Sequence, residues 1–178
     1  MRLIVFCLAT LLTMSGTSAV AEDRPPIDGP GAVFADPLLE QMVGHWRMTG
    51  TLLGRPANHA IDVQWVLNHQ FLQIHEVGET DPKTGKPQYE ALPTIGYDNM
   101  SERYVAHWID VFGGRFSETL GYGRRSGDRI DFVFEYPDGP FHTQFAWDKA
   151  AGQWRWKMEQ KNGSGQWKPF ADLTLARP

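Results

Sequence analysis

From His45 to the end of the chain, apolar residues recur at every second position, and clusters of Gly, Pro, Asn and Asp interrupt them about every 8–12 residues. A period of two belongs to a strand whose two faces differ, because successive side chains point to opposite sides of a sheet. Ten such segments follow one another: His45–Leu53, Asn58–Leu67, Phe71–Glu79, Tyr89–Tyr97, Arg103–Asp110, Arg115–Tyr122, Arg129–Tyr136, Phe141–Asp148, Gln153–Lys161 and Trp167–Ala176. The turns between them are short, which makes sequential strands antiparallel neighbours. A meander of this length either closes or splits into two sheets, and closure removes the adhesive edges. The expected fold is all-β: an antiparallel up-and-down barrel of about ten strands, preceded by one short helix. Asp36-Pro37 reads as the helix cap and first helical residue, with Leu38, Leu39, Met42 and Val43 as an apolar face and Gly44 as the stop. About two turns are expected, stable only when docked.

The segment ahead of the helix has another character. Met1-Arg2 is a short positive start, Leu3–Leu12 an uncharged apolar run, and Ala19-Val20-Ala21 a cleavage pattern. Together they read as a signal peptide over 1–21, cut after Ala21, with a periplasmic or secreted destination. The apolar run is shorter than the ~20 residues that span a bilayer. Residues 22–35, rich in Pro and Gly at their start, are expected to be a disordered tether, and 36–178 the barrel domain. The single cysteine, Cys7, lies in the leader, so the processed chain has no disulfide. Formal net charge is −4 with Lys and Arg scattered, which argues against a nucleic-acid partner. No basic amphipathic helix favours a membrane surface.

Following the alternation assigns the interior. One face collects Trp46 and Met48; Ile61, Val63 and Trp65; Leu72 and Ile74; Tyr104, Ala106 and Trp108; Phe116 and Leu120; Ile130, Phe132 and Phe134; Phe141 and Phe145; Trp154, Trp156 and Met158; Leu173 and Leu175. Arg47, Asp62, Gln73, Arg103, Asp131, Glu135, Gln144, Arg155 and Lys157 take the other face. Such aromatic walls either fill a narrow barrel or line a cavity suited to a flat or apolar guest. Four polar residues share the inward parity: Glu76, Asp110, Glu118 and Thr143. Glu76 and Asp110 stand near strand ends, in a cavity or in a solvated mouth, whereas Glu118 is expected mid-strand. The candidate ligand-binding set is Trp65, Glu76, Tyr104, Trp108, Asp110, Glu118, Phe132, Thr143 and Trp156.

Gly44-His45-Trp46, just after the short helix, resembles the Gly-x-Trp opening of calycin barrels, in which a late cation such as Arg177 packs over the tryptophan. Gly96-Tyr97-Asp98-Asn99, Arg103-Tyr104-Val105 and Trp108-Ile109-Asp110 resemble a calycin-like family known as domain of unknown function 1579, over roughly Leu38 to Ala176. The resemblance implies a barrel of the lipocalin or fatty-acid-binding-protein kind and no particular activity. In the residues themselves, Asp98-Asn99 starts a hairpin turn that sets Tyr97 opposite Tyr104.

No metalloprotease, nucleophile-elbow, P-loop or dinucleotide motif occurs. The six histidines form no short ligand pair, and His75, His107 and His142 take the outward parity. Nitrobindin-like barrels hold haem on a histidine near the chain end; Lys168–Pro178 contains none, so no cofactor is expected. The favoured function is binding of an apolar or amphipathic small molecule. The alternatives are an enzyme of isomerase, cyclase or lyase type using Glu118 or Asp110 beside Tyr104, and a filled barrel acting as an interaction module.

Overall fold

The computed structural model describes residues 33–114 and 117–178. The expected leader and residues 22–32 of the expected tether lie outside the described residues. The last tether residues are docked: Phe34 is buried, its N–H donates to the His69 carbonyl at 3.2 Å, and its own carbonyl meets His69 Nδ1 at 2.9 Å.

Asp36 then caps α1 (Pro37–Glu40), its Oδ1 accepting from the N–H groups of Leu38 and Leu39 at 2.8 and 3.3 Å. The helix is one turn long, not two. The N–H groups of Gln41, Met42 and Val43 reach carbonyls only three residues back, and the Met42 carbonyl accepts from Trp46 Nε1 at 2.7 Å. Leu38, Leu39 and Met42 are buried against the barrel end, which supplies the docking so short a helix needs.

Eleven strands follow among the described residues: β1 (Gly44–Leu52), β2 (Arg55–Val66), β3 (Phe71–Val77), β4 (Glu90–Ala91), β5 (Thr94–Asp98), β6 (Arg103–His107), β7 (Leu120–Ser126), β8 (Arg129–Tyr136), β9 (Gly139–Asp148), β10 (Gln153–Lys161) and β11 (Trp167–Ala176). Each pairs antiparallel with its neighbours; β1 joins β11, and β2 joins β3, so the sheet closes on itself. β4 and β5 are two halves of one expected strand. Pro93, which has no N–H to give the ladder, separates them, yet both keep one register on β3 (Glu76 opposite Ala91, Leu72 opposite Ile95). Counted as one strand they make a ten-stranded closed barrel.

The sixth expected strand is displaced. It runs over Leu120–Ser126, not from Arg115. Leu120, expected inside, is 38% exposed, and the buried positions are Gly121 and Gly123. A Cβ at Gly121 would stand 2.5 Å from Phe134, and one at Gly123 2.6 Å from Phe132, so rings from β8 occupy the space that side chains of β7 would fill. An apolar alternation cannot reveal an inward face made of glycine. Phe116 lies outside the described residues.

The barrel has unlike ends. Phe34, Leu38, Leu39 and Met42 close the end where β1 begins, above Trp46 and Trp154. There Arg177 lies over the Trp46 ring at 3.7 Å and donates to the Val43 carbonyl at 2.9 Å. Gly44 (φ +114°) passes beneath it; a Cβ there would come within 2.3 Å of the guanidinium. Tyr97 and Tyr104 face each other across the β5–β6 hairpin, rings 5.3 Å apart. The opposite end is open.

Candidate functional site

The open end leads into a cavity of about 680 Å³. Met48, Leu52, Phe134, Phe141, Met158 and Leu173 supply apolar wall, and a polar strip runs along β2, β3 and the segment before β4.

The strip starts at His59. On β2 it shares the inward parity of Ala57 and Ile61, and Ile61 pairs with Glu76 on β3. His59 Nδ1 and Glu76 Oε1 are 2.6 Å apart, with side chains 10% and 4% exposed. A buried carboxylate is tolerated only with such a partner. Gly78 leaves room for the imidazole: a Cβ there would lie 3.3 Å from His59 Nε2.

Tyr89 stands beside this pair. Its hydroxyl accepts from Trp108 Nε1 at 3.1 Å and donates to Asp110 Oδ2 at 3.4 Å. Burial pushes the Tyr89 phenol far above its ordinary range, and the Glu76 charge pushes it further. Asp110 Oδ1 accepts from the Phe112 N–H at 2.9 Å, which fixes the start of the rim loop. Tyr136, also on the wall, is shifted upward by burial and then by Asp110 and Asp138.

Thr143 completes the polar groups. It sits on β9 between Phe132 and Met158, is 2% exposed, and its hydroxyl has no hydrogen-bond partner among the described residues. The indole N–H groups of Trp65, Trp154 and Trp156 also lack partners there, but these rings are packed away from the cavity lining.

Of the nine expected site residues, Glu76, Trp108, Asp110 and Thr143 line the cavity. Trp65, Tyr104 and Phe132 do not; they belong to the closed end. Phe34 inserts there, 5.6 Å from Trp65 and 6.3 Å from Tyr104. The Tyr104 hydroxyl donates to Asp36 Oδ2, and Arg125 Nη1 donates to Asp36 Oδ1 at 3.1 Å. Burial and Asp36 both raise the Tyr104 phenol. An Asp110–Tyr104 couple is therefore not formed: Tyr104 serves Asp36 and Asp110 serves Tyr89. Trp156 is fully buried outside the lining, its ring 5.5 Å from Trp108. Glu118 is exposed on the loop before β7 and is not a lining residue, because the strand expected to carry it inward starts two residues later.

The expected set lacks His59 and Tyr89. Both carry a readable signal, since His59 precedes Ile61 by two and Tyr89 precedes Ala91 by two. The outward histidines are where the alternation puts them: His75 meets Glu90 at 2.8 Å, His107 Nε2 meets the Ser117 carbonyl at 2.7 Å, and His142 stacks on Trp167. Among the described residues no group of three or more His, Cys, Asp and Glu could hold a metal ion.

A family model described as a protein of unknown function, DUF1579, matches residues 36–177. The fold is similar to the crystal structure of Rv2717c from M. tuberculosis, with a TM-score of 0.50 and 13% identity over 80% of this chain and 98% of that one. That identity shows the fold alone. No curated protein matches the sequence.

Proposed function

The chain belongs to the DUF1579 family, and on its barrel we propose that it binds one apolar or amphipathic small molecule in the open-ended cavity. The carrying observation is the cavity itself. Its 680 Å³ falls within the ~300–1,000 Å³ usual for small-molecule sites, and apolar walls with a few convergent polar groups are the usual lining. A filled barrel acting only through its surface would not leave that volume. The test is denaturing extraction of protein purified from its native host, followed by mass spectrometry. A stoichiometric small molecule is expected; a vacant protein that also takes up no apolar dye would overturn the reading.

A second reading is favoured by the buried His59–Glu76 pair: an enzyme of isomerase or lyase type, with His59 in place of Glu118 as general base. Incubating the extracted guest with fresh protein decides it, since an enzyme returns an altered compound. We also propose export, on the strength of the leader pattern from Met1 to Ala21. Protein from the cell envelope or medium should begin at Glu22.

A further inference from the structure

We infer that the guest of this cavity is an amine, an apolar body carrying a protonated nitrogen, and not a fatty acid or other carboxylate. The inference rests on the binding reading above and gives the chemical class of its ligand.

Four carboxylates line the cavity, Glu76, Glu79, Asp110 and Asp138, and among the described lining residues there is no Lys or Arg. His59 is the only other ionisable group of basic character there, and it is already engaged with Glu76 at 2.6 Å. With one proton on the imidazole the pair carries a net negative charge, and with two it is neutral. In neither state do the described lining residues offer an anion a positive charge not already balanced by Glu76. A carboxylate guest would enter a partly dry space facing like charges, with no unpaired cation among the described lining residues to receive it. An ammonium meets the opposite situation.

Two further features fit the same head group. Trp108, Phe112, Tyr136 and Phe141 bring aromatic rings to the wall, and a cation packs favourably on such faces. The two lining phenols report the sign of the local field. Tyr89 and Tyr136 are held protonated by burial first, and then by Glu76 at one and by Asp110 and Asp138 at the other. Burial opposes a guest charge of either sign, whereas the carboxylate contributions oppose an anion alone.

The test uses the processed protein loaded with the neutral dye N-phenyl-1-naphthylamine, displaced by three competitors of equal chain length: dodecylammonium, dodecanol and dodecanoate. Dodecylammonium should displace the dye at a concentration at least tenfold below that needed for dodecanoate, with dodecanol between them. Raising the salt should narrow that gap, as screening of partly exposed charges requires. The double variant Asp110→Asn with Asp138→Asn changes only rim carboxylates, and circular dichroism verifies its fold. In it the preference of ammonium over alcohol should fall at least threefold. Dodecanoate binding as well as dodecylammonium would overturn the amine assignment while leaving the binding reading intact. Dye uptake with no displacement by any competitor would overturn the assignment as well. No dye uptake at all, with no extracted guest, would remove the binding reading beneath it.

Discussion

Replacing Thr143 by Val should stabilise the barrel and leave its hold on a guest unchanged. The hydroxyl is 2% exposed and has no partner among the described residues. A buried polar group left unsatisfied costs about 1–3 kcal/mol. Valine keeps the shape of threonine and puts a methyl where the hydroxyl was, which adds apolar burial worth at most ~0.8 kcal/mol. Allowing for partial relaxation, Thr143→Val should gain about 1–2 kcal/mol. In a domain of this size that is about 3–6 °C in Tm. Urea unfolding reads it as a higher midpoint with an unchanged slope, since the surface exposed on unfolding is the same. The hydroxyl oxygen is closed off from the open cavity, so affinity for dodecylammonium should stay within about twofold of the parent. A general packing defect cannot produce added stability with unchanged binding. A variant less stable than the parent would show that the hydroxyl is already satisfied. A more stable variant with weakened affinity would show that the hydroxyl reaches the guest after all.

Two further outcomes follow from the same packing. Gly123→Ala places a Cβ 2.6 Å from Phe132, which is fully buried, and 3.1 Å from the Asp131 carbonyl, so overpacking should cost about 1–3 kcal/mol in urea unfolding. Gly121→Ala meets Phe134, which borders the cavity and can yield into it; that variant should lose less stability but bind dye more weakly. In alkali, Tyr89 and Tyr104 keep their protons in the fold, while the unfolded chain releases them near pH 10. Stability is thus intact below that pH and falls above it, by about 1.4 kcal/mol per pH unit for each phenol. In a Tyr89→Phe, Tyr104→Phe variant the slope should shrink by these two contributions, leaving what Tyr136 adds, and folded protein whose tyrosines all titrate near the ordinary value would contradict the assignment.

The barrel was legible wherever turn chemistry and side-chain parity agreed. β8, β10 and β11 occupy the residues the alternation marks, each bounded by Gly-, Asn- or Pro-containing turns. Parity also put Glu76 and Thr143 inside and Tyr97 opposite Tyr104. It failed where the inward residue carries no side chain. Gly121 and Gly123 give β7 no apolar signal, so the alternation starts the strand too early and carries Glu118 inward with it. It also failed where an inward residue is polar: His59 holds the same parity as Ile61 but reads like a surface residue until Glu76 is seen beside it. The partition of the interior into a packed end and a hollow end was not readable at all. It depends on Asp36 meeting Tyr104 and Arg125, which are 68 and 89 residues away in sequence.

That long-range contact explains why the cavity opens at one end and has two unlike sides. Asp36 caps α1 while accepting from β6 and β7, so the helix and Phe34 are tied into one mouth of the barrel, where Trp46, Trp65, Phe132 and Trp154 pack beneath them. At the other mouth the strand order sets β2 and β3 across the barrel from β8 and β9. On the first pair the inward residues are small or polar: Ala57, His59, Glu76 and, just beyond β3, Gly78. On the second they are the rings of Phe134, Tyr136 and Phe141. A guest spanning this space meets Glu76, Glu79 and Asp110 on one flank, and on the other the rings of Phe134, Tyr136 and Phe141 with Asp138 at the turn between β8 and β9. An unbranched hydrocarbon uses only the second flank and leaves Glu76 and Asp110 facing apolar atoms. A molecule with a polar, positively charged flank and an apolar one satisfies both, so the arrangement selects an orientation as well as a charge.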